Sequence, residues 1–94
     1  MLAVSASPSF NRVAKKLHSR GKKVLDAAIK KVLKNPQTGE EKKGDLAGVF
    51  VYKFKLNNQE TLLAYELRPT PKAPTEAMLL AVGPHENFYA ALKR

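Results

Sequence analysis

The run Val49-Phe50-Val51-Tyr52-Lys53-Phe54-Lys55-Leu56 is the segment that most limits what this chain can fold into. Successive side chains of a strand point to opposite faces of a sheet, so Phe50, Tyr52, Phe54 and Leu56 share one face and Lys53 and Lys55 project from the other. A strand of this kind takes a hydrophobic layer on one side and presents paired ammonium groups on the other. Thr61 to Leu67 and Ala77 to Val82 also read as strands, and Asn57-Asn58-Gln59-Glu60 is predicted to be a tight hairpin turn because asparagine tolerates positive φ. Arg68 to Thr75 contains three prolines and cannot continue a ladder, so it is predicted to be a surface connection.

The first half reads as helical. Leu2 to Ser5 is a candidate short strand. Ser7-Pro8 then supplies an N-cap and a proline at the first helical position, and Phe10, Val13, Ala14 and Leu17 recur with helical spacing, predicting a helix from Pro8 to about His18. Gly21 separates it from a second helix in which Val24, Leu25, Ala28, Ile29, Val32 and Leu33 form the apolar stripe, ending at Asn35-Pro36. Gln37 to Asp45 is a polar stretch, and Glu86 or Asn87 to Lys93 is a candidate terminal helix with Phe88, Ala91 and Leu92 on one side. The expected fold is α+β, a single domain over residues 1–94: an N-terminal strand and a helical hairpin on one face of a small antiparallel sheet, with a short C-terminal helix. The other sheet face is expected to be open.

Seventeen Lys and Arg oppose eight Asp and Glu, a formal charge of +9, which points to a polyanionic partner. Cysteine is absent, excluding disulfides, thiolate ligands and a cysteine nucleophile. His18 and His85 are the only histidines, and the acidic residues lack metal-ligand spacing, so neither a metal nor a nucleotide cofactor is expected. The first residues lack the pattern of a signal peptide, and the longest apolar run is far below membrane-spanning length. A soluble cytoplasmic protein with no membrane association is expected. His18 reads as structural, and most helix lysines as a solvated face.

Lys53 and Lys55, with Gly83-Pro84-His85-Glu86-Asn87-Phe88-Tyr89, have the makings of a phosphate-handling site. Together with Leu46-Ala47-Gly48, Leu62-Leu63-Ala64-Tyr65 and the terminal Lys93-Arg94, in this order and spacing, they make nearly the whole chain resemble the RelE/ParE superfamily of toxins from bacterial type II toxin–antitoxin modules. The RelE-type resemblance implies a metal-independent endoribonuclease that cuts messenger RNA, usually in the ribosomal A site, and whose partners are messenger RNA, the ribosome and a cognate antitoxin. It aligns Lys53 and Lys55 with the catalytic strand lysines and Tyr89 with the C-terminal active-site tyrosine. His85 falls where RelE-type members carry arginine and the YafQ branch carries a catalytic histidine. Leu62 stands where RelE-type toxins place a phosphate-binding arginine, and Lys53 and Asn57 stand where the YafQ branch has a further histidine and aspartate. The ParE branch is similar in fold, poisons DNA gyrase and lacks this nuclease set.

The residue types suit the implied chemistry. RNA cleavage without a metal requires attack by a ribose 2′-hydroxyl on phosphorus, a base for its proton, cations for the phosphorane charge and an acid for the leaving 5′-oxygen. An imidazole titrating near pH ~6.5 makes His85 the candidate acid, and Lys53 and Lys55 the candidate charge stabilisers. Either lysine is a candidate base if its neighbour's charge and partial burial lower its pKa. Tyr89 is a candidate to stack on a base or bond phosphate.

Overall fold

The first helix begins where Ser7 and Pro8 predict it. The computed structural model describes residues 2–84 together with Phe88 and Leu92. Within it Ser7 is extended (φ −76°, ψ 161°) and its Oγ accepts from Phe10 N–H at 3.1 Å, opening α1, Pro8–Lys15. The helix stops earlier than His18. Lys16 N–H donates to Val13 O and Leu17 N–H to Ala14 O, and these i→i−3 bonds tighten and end the last turn. His18 resumes an extended backbone (φ −72°, ψ 166°) as N-cap of α2, Ser19–Lys34, so it starts the second helix instead of closing the first. Gly21 therefore lies inside α2 and not between the helices. It is buried, and a Cβ there would meet Leu17 at 3.6 Å and Leu56 at 3.8 Å, which is ordinary contact. One glycine weakens a helix by about 1 kcal/mol relative to alanine, too little to break one packed on a sheet.

Behind the helices the strands are β1, Ala3–Ala6; β2, Glu40–Glu41; β3, Val49–Leu56; β4, Gln59–Arg68; and β5, Glu76–Pro84. They form a five-stranded sheet in the order β1-β5-β4-β3-β2. The sheet is antiparallel except at one edge, where β1 runs parallel to β5, so it is mixed. The hairpin is tighter than the predicted four-residue turn: Leu56 pairs with Gln59, and only Asn57 (φ 55°) and Asn58 (φ 66°) lie outside the ladder. Two consecutive positive φ values match the twist of the flanking strands, and asparagine tolerates them. Inside the polar stretch, Glu40 and Glu41 pair with Val51 and Phe50 as a two-residue edge strand.

Alternation sorts the core into two layers. Toward the helices, Phe50, Leu63, Tyr65, Leu67, Ala77, Leu79 and Val82 pack with Phe10, Leu25, Val32 and Leu33. On the opposite face Val49, Val51, Leu62 and Ala64 pack with Phe88, joined by Leu46, Leu80, Ala81 and Leu92. That face is thus partly covered instead of open. The terminal helix predicted from Glu86 or Asn87 to Lys93 lies outside the described residues apart from Phe88 and Leu92, both helical. Strand β4 serves both layers, and Leu62, Leu63, Ala64 and Tyr65 are each 0% exposed. A continuous apolar run is what a strand buried on both faces requires.

Tyr65 ties the sheet to the loop after α2. Its ring stacks on Phe50 with centroids 5.5 Å apart, its hydroxyl donates to Pro36 O at 2.8 Å, and it accepts from Gly39 N–H at 3.0 Å. Burial pushes the phenol above its ordinary pKa, and the Gly39 N–H opposes that shift in part. Removing the hydroxyl leaves a donor and an acceptor without their partner, so Tyr65→Phe is expected to lower stability by about 1–3 kcal/mol in urea denaturation. The folded chain holds the Tyr65 proton more tightly than the unfolded chain, whose tyrosine titrates near pH ~10. The resulting stabilisation is complete below that pH and is lost as pH rises through the folded value. The stability of the wild type is therefore expected to fall more steeply in alkali than that of Tyr65→Phe, measured by denaturant midpoints on either side of pH ~10.

Candidate functional site

Lys53 and Lys55 are both exposed on the face of β3 turned away from the helices, as the alternation predicts. Exposure is what a contact with a phosphate requires. Their surroundings follow from the register. Lys53 pairs with Leu62 of β4, and Leu62 pairs with Gly83 of β5, so these three residues form one row across the sheet. At a strand spacing of about 4.8 Å, the row spans roughly 10 Å.

A bulge decides which residue of β5 completes this row. Ala64 pairs with Ala81 and Tyr65 with Leu79, leaving Leu80 as an extra residue in β5. Ala77 and Leu79 consequently face the helices before the bulge and Val82 after it, while Ala81 joins the opposite layer. Without the bulge, strict alternation would turn Gly83 toward the helices; with it, Gly83 falls beside Leu62 on the lysine face. Ser7 holds this irregular turn of chain. Its N–H donates to Leu79 O at 2.8 Å and its Oγ to Leu80 O at 2.7 Å, while the same Oγ caps α1. One hydroxyl therefore links the helix start to the bulge that sets the end of β5.

Two carboxylates that the sequence reading did not single out border the lysines. Glu60 is the cross-strand partner of Lys55. Glu40 is the cross-strand partner of Val51, on the face that Val51 shares with Lys53. Lys42, bonded to Glu40 at 2.7 Å, holds that carboxyl below its ordinary pKa, with a smaller pull from Lys53. Glu60 was readable from the hairpin once its turn is known to be two residues long. Glu40 was not, because a two-residue strand carries no periodic signal.

Leu62, the position at which the resemblance to RelE-type toxins implies an arginine, is apolar. Leu62 is wholly buried in the second layer with Val51, Ala64 and Phe88, so it forms the dry floor beside Lys53. The register brings Lys53 and Lys55 together with this floor. His85 and Tyr89, the other two candidates, lie outside the described residues. Among the described residues no group of three or more His, Cys, Asp or Glu side chains is placed to hold a metal ion, and no helix is long and apolar enough to cross a membrane.

Three solved structures share this arrangement of elements. The toxin in the intact RelBE toxin–antitoxin complex of E. coli superposes with a TM-score of 0.69 at 20% identity, covering 92% of this chain and 99% of that one. The isolated E. coli RelE toxin gives 0.66 at 21% identity, covering 100% and 98%. The RelBE2 complex of Mycobacterium tuberculosis gives 0.66 at 19%, covering 89% and 98%. At these identities the likeness is one of fold. No relative is found among curated protein sequences. The sequence family described as the ParE-like toxin of type II bacterial toxin–antitoxin systems matches residues 4–93, nearly the full length of the chain. By that match and by its α+β fold, the chain belongs to the RelE/ParE superfamily of type II toxins.

Proposed function

We propose that this toxin is a metal-independent endoribonuclease that cuts messenger RNA, at the ribosome and in the cytoplasm, and is held in check by a cognate antitoxin. The observation that carries the reading is the pair of exposed ammonium groups at Lys53 and Lys55, on the sheet face where the Lys53–Leu62–Gly83 row ends two residues before His85. In the proposed reaction the ribose 2′-oxygen attacks the adjacent phosphorus as its proton passes to a base, a role that Lys53 or Lys55 fills only as the neutral amine. The other lysine stabilises the charge on the non-bridging oxygens. Both lysines are exposed, so the partial burial that would favour the neutral amine is absent from the free chain. His85 gives its proton to the leaving 5′-oxygen, yielding a 2′,3′-cyclic phosphate and a 5′-hydroxyl. Tyr89 stacks on a base beside the scissile phosphate.

A second reading has its own support. The matched family is described as ParE-like, and Leu62, where the RelE-type resemblance implies a phosphate-binding arginine, is buried and apolar. On that reading the chain inhibits DNA gyrase and leaves RNA intact. Mapping transcript 5′ ends after induction separates the two. The nuclease reading expects new 5′ ends, lowered about 10²–10⁴-fold in single-turnover rate by His85→Ala and about 10²–10³-fold by Lys53→Ala or Lys55→Ala, with gyrase supercoiling unaffected. Intact transcripts alongside blocked supercoiling would establish the gyrase reading.

Salt provides a further check on the lysines. Binding to single-stranded RNA should weaken linearly in log–log form, and losing one phosphate-contacting lysine should reduce the slope by about 0.7. An unchanged slope in filter binding with Lys53→Ala and Lys55→Ala would remove both from the RNA contact.

A further inference from the structure

Strand β3 has an edge that the fold does not use. Leu56 and Gln59 flank a two-residue turn and so form a hydrogen-bonded pair. Counting back by two, Phe54, Tyr52 and Phe50 direct their N–H and C=O groups toward β4, whereas Lys55, Lys53, Val51 and Val49 direct theirs outward. Lys42 N–H donates to Val49 O at 2.8 Å, as this assignment requires. The two residues of β2 pair with Phe50 and Val51, after which the chain turns away toward Tyr65. Among the described residues no strand pairs with the outward groups of Lys53 and Lys55.

The two sides of this edge differ in chemistry. On the helix side Tyr52 and Phe54 stack with ring centroids 6.2 Å apart, forming the floor of a groove of about 750 Å³ against Val24, Ala28 and Leu33 of α2. Lys30, Lys31 and Lys34 line the same groove. On the other side stand the ammonium groups of Lys53 and Lys55. A strand added here would point alternate side chains into the groove and at the lysines.

We propose that this edge accepts an extended segment of the antitoxin in which apolar residues alternate with Asp or Glu, continuing the sheet beyond β2. The backbone groups of Lys53 and Lys55 bond the segment, its apolar side chains enter the Tyr52–Phe54 groove, and its carboxylates neutralise both ammonium groups. Charge selects this occupant. A second copy of the chain would bring lysines opposite lysines, which is unfavourable across a ladder, and RNA offers no amides to pair with the edge. Bound in this way, the segment would cover the two proposed catalytic lysines directly.

The proposal rests on the antitoxin partnership proposed above, and amide hydrogen exchange followed by NMR tests it separately. The probe is a synthetic acetylated peptide in which glutamate alternates with valine, added to the full chain. Exchange of the Lys53 and Lys55 amides should slow roughly tenfold or more, and N-methylating the peptide's edge-facing amides should abolish this protection. A peptide of the same composition with its glutamates and valines in separate blocks should protect neither amide. Equal protection by the block peptide, by single-stranded RNA, or by raising protein concentration without peptide would overturn the proposal. So would a purified toxin–antitoxin complex, relieved of growth inhibition, in which both amides exchange at the free rate; the partnership would then stand without this edge. Protection by the alternating peptide in a chain that no partner neutralises would support the edge and overturn the partnership.

Discussion

Strand β4 is dry on both faces, and the rest of the structure is arranged around that constraint. Leu63 and Tyr65 need the helix layer, while Leu62 and Ala64 need a second, smaller layer that Phe88 and Leu92 help to supply. Fully burying a leucine is worth roughly 1.5–3 kcal/mol, so neither layer is dispensable in a chain of 94 residues. The smaller layer covers only part of its face. The charged end of β3, with Lys53 and Lys55, extends beyond it into solvent, and this division makes one end of the sheet a packed layer and the other an exposed, positively charged surface.

Two small features control the geometry of that surface. The extra residue at Leu80 changes which side chains of β5 face the helices and turns Gly83 to the lysine face. Ser7 stabilises the irregularity by bonding to both Leu79 and Leu80 while capping α1. Bulges are common near functional surfaces because they re-aim side chains without disrupting the sheet. At the other end of the sheet, Tyr65 anchors the Pro36–Gly39 loop. A Cβ on Gly39 would lie 2.6 Å from the Tyr65 hydroxyl, so only glycine fits there without a shift.

Much of this was legible in the sequence, for identifiable reasons. The limits of β3 follow from its own alternation, whereas the second face of the sheet was expected to be open although Leu62-Leu63-Ala64-Tyr65 is the unbroken apolar run that burial on both faces requires. The break between the helices was misplaced at Gly21 because propensity was weighed without the sheet that holds α2 together through its first turn. The two-residue strand at Glu40-Glu41 has no intrinsic signal and exists only through pairing with β3. The bulge at Leu80 was likewise invisible, since nothing in Leu79-Leu80-Ala81 distinguishes an extra residue from a regular one. Of the candidate site, the lysine pair was readable from periodicity, whereas roles for His85 and Tyr89 came from resemblance to RelE/ParE toxins.

Net charge alone would draw this protein to any nucleic acid; the nuclease reading requires something narrower, that one phosphodiester meets both lysines and the imidazole together. Titrating the chain with a short RNA blocked by a 2′-O-methyl group at the attacking ribose, and following the Lys53 and Lys55 ammonium and His85 imidazole resonances, measures this directly. The account predicts that all three shift together along a single binding curve while the lysines of α2 shift little. Shifts concentrated on α2, or lysines and histidine responding at different RNA concentrations, would contradict it.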